Sequence, residues 1–309
     1  LAGKEMAAET MRAEIVAGHS RFFMALCLVS LALALVANSQ QYLLGLLAIL
    51  VLTVGVPHGS LDHLCSSNVF PKLSWLQAKA VFLVLYAAMA AAVVVIWVFT
   101  PVVSLAAFLA ISIYHFGSDD NLLPNHDSFR PLESATRGLL PIVFPALYHS
   151  CDVQNVFVIL SGPQSTHLAQ ALGLLGLPAT MLWLAVLTRA FRQRQFLLFF
   201  ELGLLGLSLM TLPLYLGFAV FFCGLHSLRQ LLLLAYVHSK VGLLAVFRQG
   251  ALITFITGLT AALAFLCLGG SADEDGARII FVGLAAVSWP HISLHRWLLS
   301  RSSMDGGQV

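Results

Sequence analysis

Apolar runs of about 16 to 25 residues recur from one end of this chain to the other, separated by short polar breaks. They predict ten membrane-spanning helices, at 22-37, 42-60, 80-99, 101-117, 138-150, 168-188, 196-211, 213-237, 251-269 and 278-299. The fifth is the shortest and carries Pro141 and Pro145. The runs are rich in Leu, Ala, Val and Phe and show no strand-type alternation, which argues against a transmembrane barrel. The mean hydropathy of +0.91 and a charged fraction of only 10% leave no room for an ordinary soluble fold.

The basic residues test the count independently. With the N-terminus in the cytoplasm, the cytoplasmic segments hold Lys4, Arg12 and Arg21, then Lys72 and Lys79, then Arg130 and Arg137. Arg189, Arg192 and Arg194 follow, then Lys240 and Arg248, and last Arg296 and Arg301. Of the remaining two, Arg229 lies within a span, and Arg278 stands outside beside Asp273, Glu274 and Asp275. Adding or removing one span would scatter these charges over both faces. The expectation is an all-α, polytopic integral membrane helical bundle of about ten transmembrane helices, N-in and C-in, with 1-309 as one transmembrane domain. The first span reads as a retained helix, not a signal peptide. The chain begins with Leu1, so its natural start is expected upstream. The net charge of +2, spread along the cytoplasmic face, suits anionic headgroups and gives no sign of nucleic acid. Cys27, Cys65, Cys151, Cys223 and Cys267 have no CxxC spacing and read as packing residues.

Four histidines change the picture. His58 is 16 residues into the second span, His115 14 into the fourth, and His226 and His291 13 into the eighth and tenth. These helices all run from outside to inside, so at ~1.5 Å per residue each imidazole lies about 20 to 24 Å below the outer surface. One plane can hold all four. A single intramembrane histidine is usually an interhelical hydrogen-bond partner, but four at one depth point to a metal or a proton path.

Two of these helices share Pro57-His58-Gly59-Ser60-Leu61 and Pro290-His291-Ile292-Ser293-Leu294. Each proline frees a carbonyl a turn earlier, at Thr53 and Ala286, so a kink is expected just before each histidine. Asp62, four residues after His58, could accept that imidazole's N–H and fix its tautomer, or else form a boundary salt bridge at the cytoplasmic interface. Arg229, three after His226, pairs with an acid or a freed carbonyl, or else forms a boundary salt bridge. His63 and His295 lie one turn nearer the cytoplasm, as supporting or interfacial groups. His149 joins the site only if the prolines break the fifth helix. His19, His126, His167 and His238 read as loop or headgroup residues.

Neutral imidazoles suit iron, copper or zinc, whereas magnesium and calcium want oxygen ligands. A structural zinc site would more typically use thiolates. A ferrous ion, Fe(2+), that activates dioxygen against a lipid-soluble substrate arriving sideways from the bilayer is the reading that fits. Tyr114, Phe116, Trp289, Phe221, Phe222 and Tyr215 would line a conjugated substrate.

The chain resembles the Brp/Blh family of membrane β-carotene dioxygenases through GVPHGSLDH (55-63), IYHFGSDD (113-120), RGLLPIVFPALYH (137-149), CGLHSLRQ (223-230) and the late WPH (289-291). The resemblance implies an enzyme of the inner (plasma) membrane, multi-pass, that cleaves the central double bond of a carotenoid with dioxygen to give two retinals, which a rhodopsin could accept. It implies that His58, His115 and His226 take iron-ligand positions. The family pattern in the eighth helix resembles HSxRH, and its last histidine falls here on Gln230. Either His291 completes the sphere, or Gln230 leaves an altered centre. Two rival readings remain. Di-iron membrane hydroxylases and desaturases need about eight histidines in HxxxH and HxxHH boxes, whereas only His291 and His295 have HxxxH spacing here. A histidine-lined transporter or haem carrier would be non-enzymatic.

Overall fold

A computed structural model describes residues 2–34, 40–124, 126–237 and 243–304, and every regular element among them is helical. Helix α1 spans Ala2–Ala34. The second span is built in pieces: α2 (Gln40–Leu50), a π-helical turn (Val51–Gly55), α3 (Val56–Ser60), a 3-10 turn (Leu61–Cys65) and α4 (Ser66–Val69). Helices α5 (Trp75–Phe99) and α6 (Pro101–Asp119) are long and regular. Ser74 and Gln77 close a capping box at the start of α5, and Pro101 opens α6, where its missing N–H costs nothing.

Helix α7 (Arg130–Tyr148) meets α8 (Ser150–Ser161) at 106°. Helices α9 (Thr166–Leu174) and α10 (Gly176–Arg192) form one span, and α11 (Phe196–Thr211) returns. Then α12 (Leu214–Ala219), a second π-helical segment (Val220–Ser227) and α13 (Leu228–Val237) make a single, deeply buried span. Helix α14 (Leu243–Cys267) is the most lipid-facing of the spans, and α15 (Ala272–Met304) closes the bundle.

Eight of these helices or helix chains are long and apolar enough to cross a membrane, nine if the bent pair α7–α8 counts as one. The expected ten needs correcting at two places. The fifth span is broken, but at His149, beyond both prolines, which stay inside α7. The seventh is a helix of 16 residues, ~24 Å long, shorter than a ~30 Å hydrocarbon core. It need not meet lipid along its length, because Glu201, Leu202, Leu205 and Ser208 bury one face against α1, α7 and α10. The expected proline kinks are also softened. The π-helical turn absorbs Pro57 within one span, and Pro290 sits inside an unbroken α15.

Two features fix where the histidine helices stand. Helices α6 and α7 cross backbone to backbone: a Cβ on Gly138 would meet the Ile113 carbonyl oxygen at 2.0 Å, and one on Gly117 the Ser134 carbonyl oxygen at 2.4 Å. Only glycine permits that approach, two residues from His115. Beneath the crossing lies a buried ion network. Arg137 donates to Glu133 at 2.7 Å and to Glu201 at 2.8 Å, and Arg229 donates to the other oxygen of Glu201. Arg229 also reaches the Ser20 hydroxyl (3.1 Å), His19 Nδ1 (3.2 Å) and the Asp120 carbonyl (3.2 Å), so α1, α7, α11 and α13 are pinned together. The boundary salt bridge considered for Arg229 is therefore a core pair. His19 is likewise no loop or headgroup residue: it is buried, and its Nε2 lies 3.0 Å from the Gly224 carbonyl.

Candidate metal centre

The second span and the α12–α13 span each carry a stretch of π-helix next to a histidine, and that irregularity aims the ring. Pro57 has no N–H to give the preceding turn, and His58 Nδ1 donates to the Gly55 carbonyl. His226 sits near the end of Val220–Ser227, all eight residues of which are buried. His115 lies in regular α6 and His291 directly after Pro290 in α15.

The four rings converge. Ring centres are 5.5 Å apart for His58 and His226, 5.2 Å for His58 and His291, 5.0 Å for His115 and His226, and 5.5 Å for His115 and His291. They make a closed ring of four neighbours, at interplanar angles of 76° to 88°. Each Nδ1 faces an acceptor. His226 Nδ1 donates to Asp120 at 3.0 Å, His291 Nδ1 to Asp62 at 2.8 Å, His58 Nδ1 to the Gly55 carbonyl, and His115 Nδ1 lies 3.2 Å from Asp119. An acceptor at Nδ1 holds the proton there and leaves Nε2 as the lone-pair nitrogen on all four rings. His226 Nε2 is buried and has no hydrogen-bond partner within the protein.

Whether these residues suit a metal can be tested on that geometry. Bonds of roughly 2 Å from nitrogen to a metal would bring the centres of adjacent ligand rings to ~5 Å, and the four neighbouring pairs stand at 5.0 to 5.5 Å. Among the described residues no three His, Cys, Asp or Glu side chains stand tightly enough to hold an ion as they are. The ring spacing comes with four Nδ1 atoms that each face an acceptor and with a buried, unpartnered His226 Nε2. The donor set fits a transition metal that accepts imidazole.

All four histidines wall one cavity, whose other lining is mostly apolar. Phe116 packs on His226 with ring centres 4.9 Å apart, and Phe222 stacks near it at 6.1 Å. Both line the cavity. Tyr114 and Trp289 do not line it. Tyr114 is 49% exposed, with the Arg296 guanidinium over its ring at 4.8 Å, since neighbouring helical positions point away from His115 and His291.

Asp62 serves His291 across the helix interface and not His58 on its own helix, because the 3-10 tightening from Leu61 turns it away from the i, i+4 register. Gln230 stands outside the imidazole ring, its amide 3.5 Å from the Asp119 carbonyl. His63 is buried on the cavity wall with Nδ1 on the Ser60 carbonyl at 2.7 Å. His149 caps the broken helix and makes no ring contact with the four, though its Nε2 is buried without a partner. His126 and His167 are exposed, as expected; His238 lies outside the described residues, as does the side chain of His295.

Sequence reasoning missed Asp119 and Asp120. The signal was present, as two carboxylates four and five residues after His115 within IYHFGSDD. It also missed Glu201, a lone acid in an apolar run, and Tyr86, whose hydroxyl donates to the Val287 carbonyl at 3.0 Å beside His291.

The fold is a polytopic helical bundle of the membrane-spanning type, with imidazoles gathered on an apolar internal cavity. Residues 49–299 match the family model described as "Beta-carotene 15,15'-dioxygenase", so the chain belongs to that family and is an enzyme of the β-carotene dioxygenase type. It is 28% identical over 253 residues to the beta-carotene 15,15'-dioxygenase of uncultured marine bacterium 66A03, covering 79% of this chain and 90% of that relative. It is also 28% identical over 285 residues to the probable beta-carotene 15,15'-dioxygenase Blh of Halobacterium salinarum, covering 79% and 81%. No solved structure matches the chain.

Proposed function

We propose that this protein splits the central double bond of β-carotene, or of a close carotenoid, with dioxygen to give two molecules of retinal, at a ferrous ion held by His58, His115, His226 and His291. The observation that carries the proposal is the convergence of four imidazoles from four separate spans on the wall of an apolar cavity. The named activity of the two relatives supports the substrate and the bond.

Bound iron would supply the activation of dioxygen. The chain's own residues do the rest. Asp120, Asp119, Asp62 and the Gly55 carbonyl hold the protons on Nδ1, fix each ring's tautomer and make each Nε2 a better donor. Phe116 and Phe222 flank His226 and offer flat apolar surfaces to a polyene. A lining of aliphatic and aromatic side chains keeps water from the reacting bond and holds the polyene against the imidazoles, which is how positioning lowers the barrier. In this reading His291 takes the fourth place and Gln230 a supporting one through the Asp119 backbone. The protein works in the cell's inner membrane, where its substrate dissolves and where retinal is released for an opsin-type acceptor.

Expression in β-carotene-producing bacteria tests the proposal. The orange colour should fade and retinal should appear on chromatography, and His58→Ala or His115→Ala should abolish both. Retinal formation unchanged by either substitution would remove that histidine from the centre, and no retinal from the unaltered chain would sink the proposal.

A further inference from the structure

The cavity has two unlike ends. From His115 a stripe on α6, formed by Ser112, Leu109, Phe108 and Leu105, runs ten residues toward the start of the helix, about 15 Å. That arm ends against α8, where Val153, Val156, Phe157 and Leu160 present one helical face, each 5 to 8% exposed. The cavity is also lined by Leu83 of α5 and by Ile253 and Thr257 of α14, all half-exposed.

Helix α8 is fixed in place by its own C-terminal carbonyls, the groups a helix leaves unpaired. The Arg278 guanidinium donates to Ile159 O (3.1 Å) and the Trp97 indole to Leu160 O (3.0 Å). The Ser161 hydroxyl donates to Pro101 O at 3.1 Å. Gly162, at φ +81°, then turns the chain away in a conformation that other residues resist. An apolar wall held from three neighbouring elements is a rigid stop.

We propose that α8 is the end-stop of a molecular ruler: a carotenoid slides in from the bilayer between α5 and α14, its leading ring seats against Val153, Val156, Phe157 and Leu160, and the depth of this arm decides which double bond lies at the imidazoles. This rests on the proposed carotenoid cleavage and adds the residues that select the bond. The chemistry balances without another reactant. The double bond at the imidazoles breaks, each of its carbons takes one oxygen atom of dioxygen, and the cut yields two equal aldehydes when that bond is central. Moving the stop by one conjugated unit gives one longer and one shorter carbonyl fragment.

The test is product analysis with β-carotene as the probe. Val153→Phe and Val156→Phe shorten the arm, and Phe157→Ala lengthens it. Each should raise the ratio of unequal fragments to retinal at least ten-fold over the unaltered enzyme. Phe157→Ala guards against a bulky variant that fails to accumulate, since it removes volume. Retinal as the sole product of Phe157→Ala, at whatever rate, would overturn the end-stop and leave central cleavage standing. An unaltered chain that makes no retinal would overturn the cleavage proposal instead.

Discussion

The imidazole end of the cavity and the α8 end are built from opposite materials. Around the histidines the chain departs from regular α-helix three times, buries Asp120, two glutamates and two arginines, and half-buries Asp62 and Asp119 against their imidazole partners. At α8 the helix is regular, the surface is aliphatic and aromatic, and polar contacts only tie down backbone carbonyls. The contrast separates two tasks. Chemistry needs donor atoms whose protons sit on the correct nitrogen, and electrostatics supplies that. Choice among similar apolar molecules needs a shape, and packed side chains supply that.

The largest effect should come from breaking the imidazole end at His291. His291→Ala should bind no iron and lose all cleavage, as a ring with an Asp62 partner and two imidazole neighbours is removed. Gln230→Ala should keep iron near one per chain and activity within about three-fold, since that side chain makes one long contact with the Asp119 backbone. Metal analysis of both purified variants separates the two, and iron retained by His291→Ala but lost from Gln230→Ala would reverse the assignment.

A pair of stability measurements sharpens the comparison. Arg229→Met leaves Glu201 with Arg137 as its one charged partner among the described residues and should cost about 3 kcal/mol, the low end for breaking a buried ion pair. Trp97→Phe removes one neutral hydrogen bond at the α8 end and should cost about 1 kcal/mol. Denaturant unfolding in detergent micelles reads both, and equal costs would mean that the two ends are not held by different forces.

How much of this was legible in the sequence follows the same division. Depth along a helix is a property of residue number, so the shared level of His58, His115, His226 and His291 could be counted out. Rotation about the helix axis is not. One π-helical turn or one 3-10 tightening shifts every later side chain, which is why Asp62 was matched with its own helix neighbour instead of His291. The break at His149 was tied to Pro141 and Pro145, yet both prolines fit within α7. Buried charges were the other blind spot. Glu201 and Arg137 lie far apart in the chain, and only packing reveals that one neutralises the other. Tyr114 and Trp289 were chosen for nearness in sequence, and the helical turn carries both away from the cavity.

The smallest effect belongs to the same pairing of arginine and carboxylate at the wet edge of the molecule. Asp127, in the segment between α6 and α7, accepts from the Phe129 amide at 2.8 Å and from Arg189 at 2.7 and 2.9 Å. The Phe129 amide first, and Arg189 after it, hold its carboxyl below the ordinary carboxylate range. A depressed acid stabilises the fold fully above its unfolded value of about 3.9 and loses that contribution as pH falls through the lower folded value. Asp127→Asn should therefore lower thermal stability slightly at pH 7 and flatten the decline below about pH 4, with iron content unchanged. Added salt should shrink even that difference, because water and ions screen a pair at the edge. Melting curves of both proteins from pH 3 to pH 7 decide it: parallel declines would mean that Asp127 contributes nothing, and a loss as large as that of Arg229→Met would mean that this edge is as tightly held as the network beneath the imidazoles.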